Sequence, residues 1–353
     1  MKNKVYFISV GDFDDLESIK TKFGRLLEES NILDFLKADE TVAVKMHFGE
    51  EGNTGYVKPE YVRLVCDSIK AKQAKPVLTD TNTLYKGERT VSATHILLAR
   101  KHGFTEEIAA APIVIAEDSL DVKVESKFLK AAQIAPFFRT VDAIVGIAHF
   151  KGHLMTGFGG ALKNIGMGCA SREGKLLQHC DLAPFVKTEK CTACGACIQV
   201  CPVDAISMKN EAAFVNKQKC IGCASCIAAC PEMAIDLDWE SGAPVIQERM
   251  IDHARAVLQG KEKKMAFINF AIKITKECDC LAKDDPRICP DVGIFASKDP
   301  VALDKATLDV IIKACGKDVF QEAHPKRDGL KHLFYASRMG LGGIEYELIN
   351  LSY

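Results

Sequence analysis

Apolar positions along the chain fall into short blocks that switch between two periods. Residues 5–10 are a near-continuous apolar run that predicts a strand. Leu16, Ile19, Phe23, Leu26 and Leu27 then recur at helical spacing over residues 14–30. The exchange repeats, with strands predicted at 41–46, 76–79, 113–115 and 141–149. Helices are predicted at 59–72, opened by Pro59, and at 91–102, closed by Gly103. Residues 160–169 also read as helical. After an interruption the pattern resumes with a helix at 244–259, strands at 265–275 and 292–296, a helix at 300–315 ended by Gly316, and a strand at 346–351. Alternating β and α segments predict an α/β fold with a mostly parallel sheet.

The interruption has its own logic. It reads C-T-A-C-G-A-C-I-Q-V-C-P from Cys191 and C-I-G-C-A-S-C-I-A-A-C-P from Cys220. Each copy is C-x2-C-x2-C-x3-C-P, the bacterial-type spacing for a [4Fe–4S] cluster, in which the fourth cysteine serves the other cluster. Cluster 1 would take Cys191, Cys194, Cys197 and Cys230. Cluster 2 would take Cys220, Cys223, Cys226 and Cys201. The repeat extends beyond the thiols, since Phe185-Val186-Lys187 matches Phe214-Val215-Asn216. Each half reads as strand, ligand loop, short helix, strand, and the segment resembles the two-cluster ferredoxins. Zinc sites favour C-x2-C pairs, which this run fits badly. The expected organisation is therefore an α/β domain (1–183 and 239–353) interrupted by an α+β ferredoxin-like insert (184–238), because a compact module is tolerated in a surface loop. Trp239, at the exit of the insert, reads as packing across the junction.

Composition narrows the setting. The 353 residues carry 46 basic and 47 acidic side chains, so no charge imbalance argues for nucleic acid. The opening apolar run is too short for a signal peptide, and no run is long enough to span a bilayer. Of the fifteen cysteines, the eight at metal-ligand spacing point to a reducing, cytoplasmic compartment.

In parallel sheets, ligands collect beyond the carboxyl ends of the strands. Those ends are polar here: Lys45 and His47, Asp80 and Asn82, His149, Lys151 and His153, Cys278-Asp279-Cys280, and Ser297-Lys298-Asp299. Parallel strands would bring them to one rim. His149 and His153 are candidate proton movers or ligands, since imidazole titrates near neutrality. The run from Met155 to Gly168 is glycine-rich. Gly159, Gly160, Lys163 and Asn164 could hold a carboxylate or phosphate there, aided by the positive end of a helix starting near Gly160. It matches neither the phosphate-binding-loop nor the dinucleotide fingerprint. Cys278, Cys280 and Cys289 could form a third metal or cluster site. Cys66 and Cys315 read as core residues, and Cys169 and Cys180 as thiols flanking the insert.

Three phrases outside the insert resemble the domain-of-unknown-function family three-six-two. They are Val44-Lys45-Met46-His47-Phe48-Gly49, the stretch from His149-Phe150-Lys151-Gly152-His153 through Lys163-Asn164-Ile165-Gly166, and Ser297-Lys298-Asp299-Pro300-Val301-Ala302-Leu303-Asp304. The resemblance implies an iron–sulfur protein and supplies no substrate. The expectation is an oxidoreductase that passes electrons from a partner protein through two [4Fe–4S] clusters to a small anion at the rim. Alternatives are a non-enzymatic electron carrier, redox sensor or assembly factor, and a nucleotide-using hydrolase or ligase with structural clusters.

Overall fold

The computed structural model describes residues 3–179, 183–238 and 244–351. Cys180 and Trp239, both singled out above, lie outside the described residues. Eight strands build one sheet: β1 (Asn3–Ser9), β2 (Thr41–Lys45), β3 (Lys75–Thr81), β4 (Ile113–Ala116), β5 (Ala143–His149), β6 (Met265–Ala271), β7 (Gly293–Ser297) and β8 (Tyr346–Asn350). Their spatial order is β8-β1-β7-β6-β5-β2-β3-β4. β4, β3, β2, β5 and β6 run parallel, as do β1 and β8, while β7 is antiparallel to both its neighbours. The sheet is thus mostly parallel, as its βα alternation predicts, with one reversed strand. The reason lies in residues 272–292, which carry no helix. Parallel return normally uses a helical crossover, and without one the chain turns back beside β6.

The sheet is covered on both faces, so its middle strands need no polar alternation. Every residue of β5 is buried. On one face, Leu16–Ser30 and Pro59–Ala71 pack against Ile8, Val42, Val44 and Ile268. The first of these helices is capped by Asp15, which accepts from Ser18 N, and it buries Ile19, Phe23, Leu26 and Leu27. Each such side chain contributes about 1.5–3 kcal/mol of burial. On the other face, Ile246–Leu258 and Pro300–Cys315 pack against Ala43, Ile144, Phe267 and Phe295.

Residues 184–238 stand apart from this sheet. Phe185–Val186 pairs antiparallel with Ile235–Asp236, and Ile206–Lys209 with Ala212–Val215. Short helices Ala196–Gln199 and Ser225–Ala229 sit one in each half. The order strand, loop, short helix, strand occurs twice. Leu84 and Leu176 of the α/β body join the apolar cluster that contains Cys197, Cys226 and Cys230. No helix among the described residues is long and apolar enough to cross a membrane.

Candidate functional site

Chain order along the sheet reverses between β2 and β5. β3 and β4 extend to one side of β2, and β5 and β6 lie on the other. Such switch points open a crevice beyond the carboxyl ends of the strands. A cavity of about 490 Å³ lies there, bordered by Lys45, His47, Asp80, His149, Lys151, His153, Gly159, Gly160, Lys163 and Asn164. Its size is that of a small-molecule site. Asn82 is the exception among the rim candidates: its Nδ2 donates to Glu117 Oε1 at 2.9 Å, and it does not border the cavity. Ser297-Lys298-Asp299 are also elsewhere. They follow the reversed strand β7, and Asp299 caps the helix Pro300–Cys315 by accepting from Val301 N and Ala302 N.

Lys45 is the best-held charge in the cavity wall. It is 1% exposed, and its Nζ lies 3.1 Å from Asp80 Oδ1. It also donates to Asn164 Oδ1 (2.9 Å) and to the Met46 carbonyl (3.0 Å). Asn164 returns two bonds from its Nδ2, to the Lys45 and Ile147 carbonyls. This links β2, β5 and the helix Ala161–Gly166 through one half-buried amide. Burial would raise the Asp80 carboxyl, but the charges of Lys45, His95 and Arg89 outweigh it and hold it below its usual range.

Lys163 makes no hydrogen bond or ion pair among the described residues. Burial, reinforced by Lys45 and Arg89, pulls its ammonium down to about 8. Lys175, on the helix Arg172–His179, donates to Thr81 Oγ1 and to the Ala170 carbonyl. Burial brings it down to about 7 despite the attraction of Asp80. The cavity border carries six Lys and Arg side chains against three carboxylates (Asp80, Glu277, Asp279). An anionic ligand is what this surplus suits.

The anion-holding role expected of the glycine run is altered. The backbone N–H groups of Ala161 and Leu162, at the start of the helix, donate to the Asp304 carboxylate at 2.8 and 2.9 Å. Asp304 is fully buried and also accepts from Asn269 Nδ2 at 2.7 Å. A Cβ on Gly160 would collide with Asp304 Oδ1, so glycine is needed for this internal cap. The helix end is filled by the protein's own carboxylate, which leaves Lys163 as the side chain that can meet a ligand.

The two histidines differ. His149 Nε2 lies 2.7 Å from the Ile272 carbonyl, which requires it to carry the proton, and Nδ1 then accepts from Lys151 Nζ at 3.0 Å. Burial keeps the ring neutral. Both nitrogens are committed, so His149 holds Lys151 and has no nitrogen free to accept a proton. His153 Nδ1 is 2.9 Å from Thr156 Oγ1, whose hydrogen can go to it or to the Phe158 carbonyl. Met155 N donates to Nδ1 at 3.3 Å, so Nδ1 accepts and Nε2 carries the ring proton, with no partner among the described residues. Burial, ahead of the neighbouring charges of Lys163 and His179, holds His153 neutral. A neutral imidazole held this way presents an N–H donor to a ligand.

Arg89, Tyr85 and Lys175 also border the cavity and escaped the sequence reading. Arg89 is 3% exposed, pairs with Glu50 Oε2 at 3.0 Å and reaches His47 Nε2 at 2.8 Å. These residues sit on the long loop after β3 and on a helix beyond the glycine run. A loop of that length at a strand's carboxyl end was the signal available.

The cysteines fall into separate groups. One small cavity is bordered by Cys191, Cys194, Cys197 and Cys230, and a second by Cys201, Cys220, Cys223 and Cys226. Backbone N–H groups of Ala213, Ala205 and Ala234 point at the sulfurs of Cys191, Cys201 and Cys230 at 3.2–3.4 Å. Among the described residues no group of three or more His, Cys, Asp or Glu is gathered to hold a single metal ion. The triad Cys278, Cys280 and Cys289 does not assemble. Cys278 is disulfide-bonded to Cys280, and Cys289 to Cys315, so the three are not gathered at one point and Cys315 is paired where a plain core residue was expected. Cys66 is buried in the core, as expected. Cys169 is buried too, and burial pushes its thiol up to about 12, an inert setting.

A family model described as "Domain of unknown function (DUF362)" matches residues 42–309. The chain belongs to the DUF362 family. The match spans the cavity-bearing strands and the cysteine-rich segment together, so this DUF362 protein carries both within the family region. No curated protein matches it. Among solved structures, a Thermotoga maritima protein aligns at 15% identity and a TM-score of 0.40, covering 87% of this chain and 59% of its own. The lactate racemase apoprotein of Thermoanaerobacterium thermosaccharolyticum aligns at 13% identity and a TM-score of 0.39, covering 76% and 50%. The chain thus spans 50–59% of the length of these structures.

Proposed function

We propose that this protein is an iron–sulfur oxidoreductase, with residues 184–238 as a ferredoxin-like insert and a small organic anion as the substrate of the sheet-edge cavity. One observation carries the reading: the eight motif cysteines border two cavities in crossed groups, with Cys230 joining the first triplet and Cys201 the second. This is the sharing that the C-x2-C-x2-C-x3-C-P repeat requires. The donor chemistry fits, since each cavity offers four thiols, and N–H groups aimed at sulfur are among the features that tune such centres. Bound [4Fe–4S] clusters would supply one-electron transfer.

The rest of the proposal concerns this chain's own side chains. Lys163 binds the anion's charge, and Lys175 adds to it from the facing helix. His153 donates a hydrogen bond to the anion from Nε2, with the Met155 N–H on Nδ1 fixing its tautomer. Leu84 and Leu176 exclude water between the cavity and the cysteine-rich segment, where Lys86 Nζ also donates to the Pro231 carbonyl at 2.9 Å. A partner protein delivers electrons to the insert. Paramagnetic resonance of the anaerobically reconstituted, reduced protein tests the crossing. Cys201→Ser should perturb the centre held by Cys220, Cys223 and Cys226, although it lies in the other repeat. A change confined to the centre of its own repeat would reject the assignment.

A further inference from the structure

The C-x-C pair Cys278–Cys280 has a setting that the cluster ligands do not share. Both residues border the cation-lined cavity and are joined to each other. The backbone around them is fixed from three directions. Asp279, between them, is in contact with Lys151 Nζ, which also donates to His149 Nδ1. The Asp279 carbonyl accepts from Glu50 N at 3.1 Å, and the Cys280 carbonyl from Tyr85 Oη at 3.0 Å. A Cβ on Gly55 would approach Asp279 Oδ1 to 2.9 Å, so that residue is held from the far side as well. A plain structural staple two residues apart closes almost no loop and adds little to stability by constraining the unfolded chain. Its placement calls for another reason.

We infer that Cys278 and Cys280 are a redox-active dithiol of the cavity, and that the ligand is a small anionic disulfide. The inference rests on the proposed function for the cavity's preference for anions and for the source of electrons. Cys280 is the more exposed of the two, and Cys278 is buried. In the reduced pair, the Cys280 thiolate attacks one sulfur of the bound disulfide and expels the first substrate thiolate. The Cys278 thiol, losing its proton, attacks Cys280 Sγ in the mixed disulfide and expels the second. The Cys278–Cys280 bond reforms, and the two leaving thiolates take up the two protons released. Two electrons and two protons, delivered singly by an iron–sulfur donor, reduce the pair again. Lys163 favours the anionic ligand and its thiolate leaving groups, which speeds exchange by lowering the effective basicity of the departing sulfur.

The test uses the full chain, purified anaerobically, reduced and freed of reductant, then mixed with 3,3′-dithiodipropionate. Adducts are mapped by peptide mass. In Cys278→Ser the mixed disulfide should accumulate on Cys280. In Cys280→Ser no adduct should form on Cys278, and in Cys289→Ser/Cys315→Ser the native pair should still turn over. The neutral 2-hydroxyethyl disulfide should react at Cys280 at least tenfold more slowly than the dianion, and Lys163→Met should narrow that ratio. No adduct on Cys280, or equal rates for the charged and neutral disulfides, would overturn the inference. Because the reaction starts from chemically reduced thiols, it proceeds with or without metal in residues 184–238. Failure here and failure of the iron–sulfur reading are therefore separate results.

Discussion

The cysteine-rich segment and the sheet-edge cavity place their polar groups by opposite means. In the segment, each set takes three cysteines from one short loop and a fourth from the other repeat, all within residues 191–230. In the cavity, Lys45, Asp80, His153, Lys163 and Asp279 come from five separate stretches of the α/β body. Local spacing holds the first, and tertiary packing with buried charge pairs holds the second. The difference teaches where damage should appear. Substitutions in the cavity should reach the fold, while substitutions among the motif cysteines should reach the cofactor and leave the sheet intact.

The largest effect should come from Lys45→Met. It leaves the Asp80 carboxylate buried without its partner and Asn164 Oδ1 without its donor. Removing one member of a buried pair costs about 3–5 kcal/mol. Urea unfolding followed through the sheet would show it. A loss under about 1 kcal/mol, the range of exposed ion pairs, would mean that water reaches this pair and that the contrast between the two regions is weaker than stated.

Next is the pH response of Asp304. Burial raises its carboxyl to about 6 in the folded chain, against a bonding pattern that favours the charged form. The folded state therefore holds a proton that the unfolded state has released between about pH 4 and 6. Stability should fall by about 3 kcal/mol as pH rises through that window, at about 1.36 kcal/mol per unit, and level off above it. Asp304→Asn should remove this slope. An unchanged slope would assign it to other groups.

The legibility of the two regions followed the same division. A duplicated spacing is a one-dimensional signal, so the eight motif cysteines and their crossed grouping could be written down from the chain. The rim could be read only as far as strand direction could. Lys45, Asp80 and His149 lie at the ends of strands that do run parallel, His153 follows one of them, and they meet. Ser297-Lys298-Asp299 follow β7, which turns back because no helix separates it from β6. The glycine run was read as an anion site because Asp304 lies far away in sequence, and only the fold brings it onto Ala161 and Leu162. Cys289 finds Cys315 at the end of a helix that begins after β7, a pairing that spacing does not encode. Arg89 and Lys175 sit in segments with no motif, and their value comes from the cavity they enter.

A middle-sized effect sharpens the comparison on the cavity side. Lys163→Met should weaken binding of a small dicarboxylate about tenfold, the lower range for a charge-assisted contact. Binding to the unsubstituted protein should be strongest below pH 7. It should decline as pH rises through about 7 to 8, where Lys175 and then Lys163 lose their protons. Calorimetric titration across that range checks both statements. Affinity that holds steady to pH 9 would remove these lysines from the binding account.

The smallest change in stability is expected on the other side. Cys194 is exposed, and Cys194→Ser should leave the unfolding of the sheet within about 0.5 kcal/mol of its original value. The same substitution should lower the iron retained by the segment. A large loss of sheet stability would show that the two regions are energetically one.

The central claim is that residues 184–238 hold two cubane clusters, and the most direct measurement is iron and acid-labile sulfide per chain after anaerobic reconstitution. The account predicts about eight of each per chain. Stoichiometric zinc, or iron near zero with the thiols fully free, would contradict it.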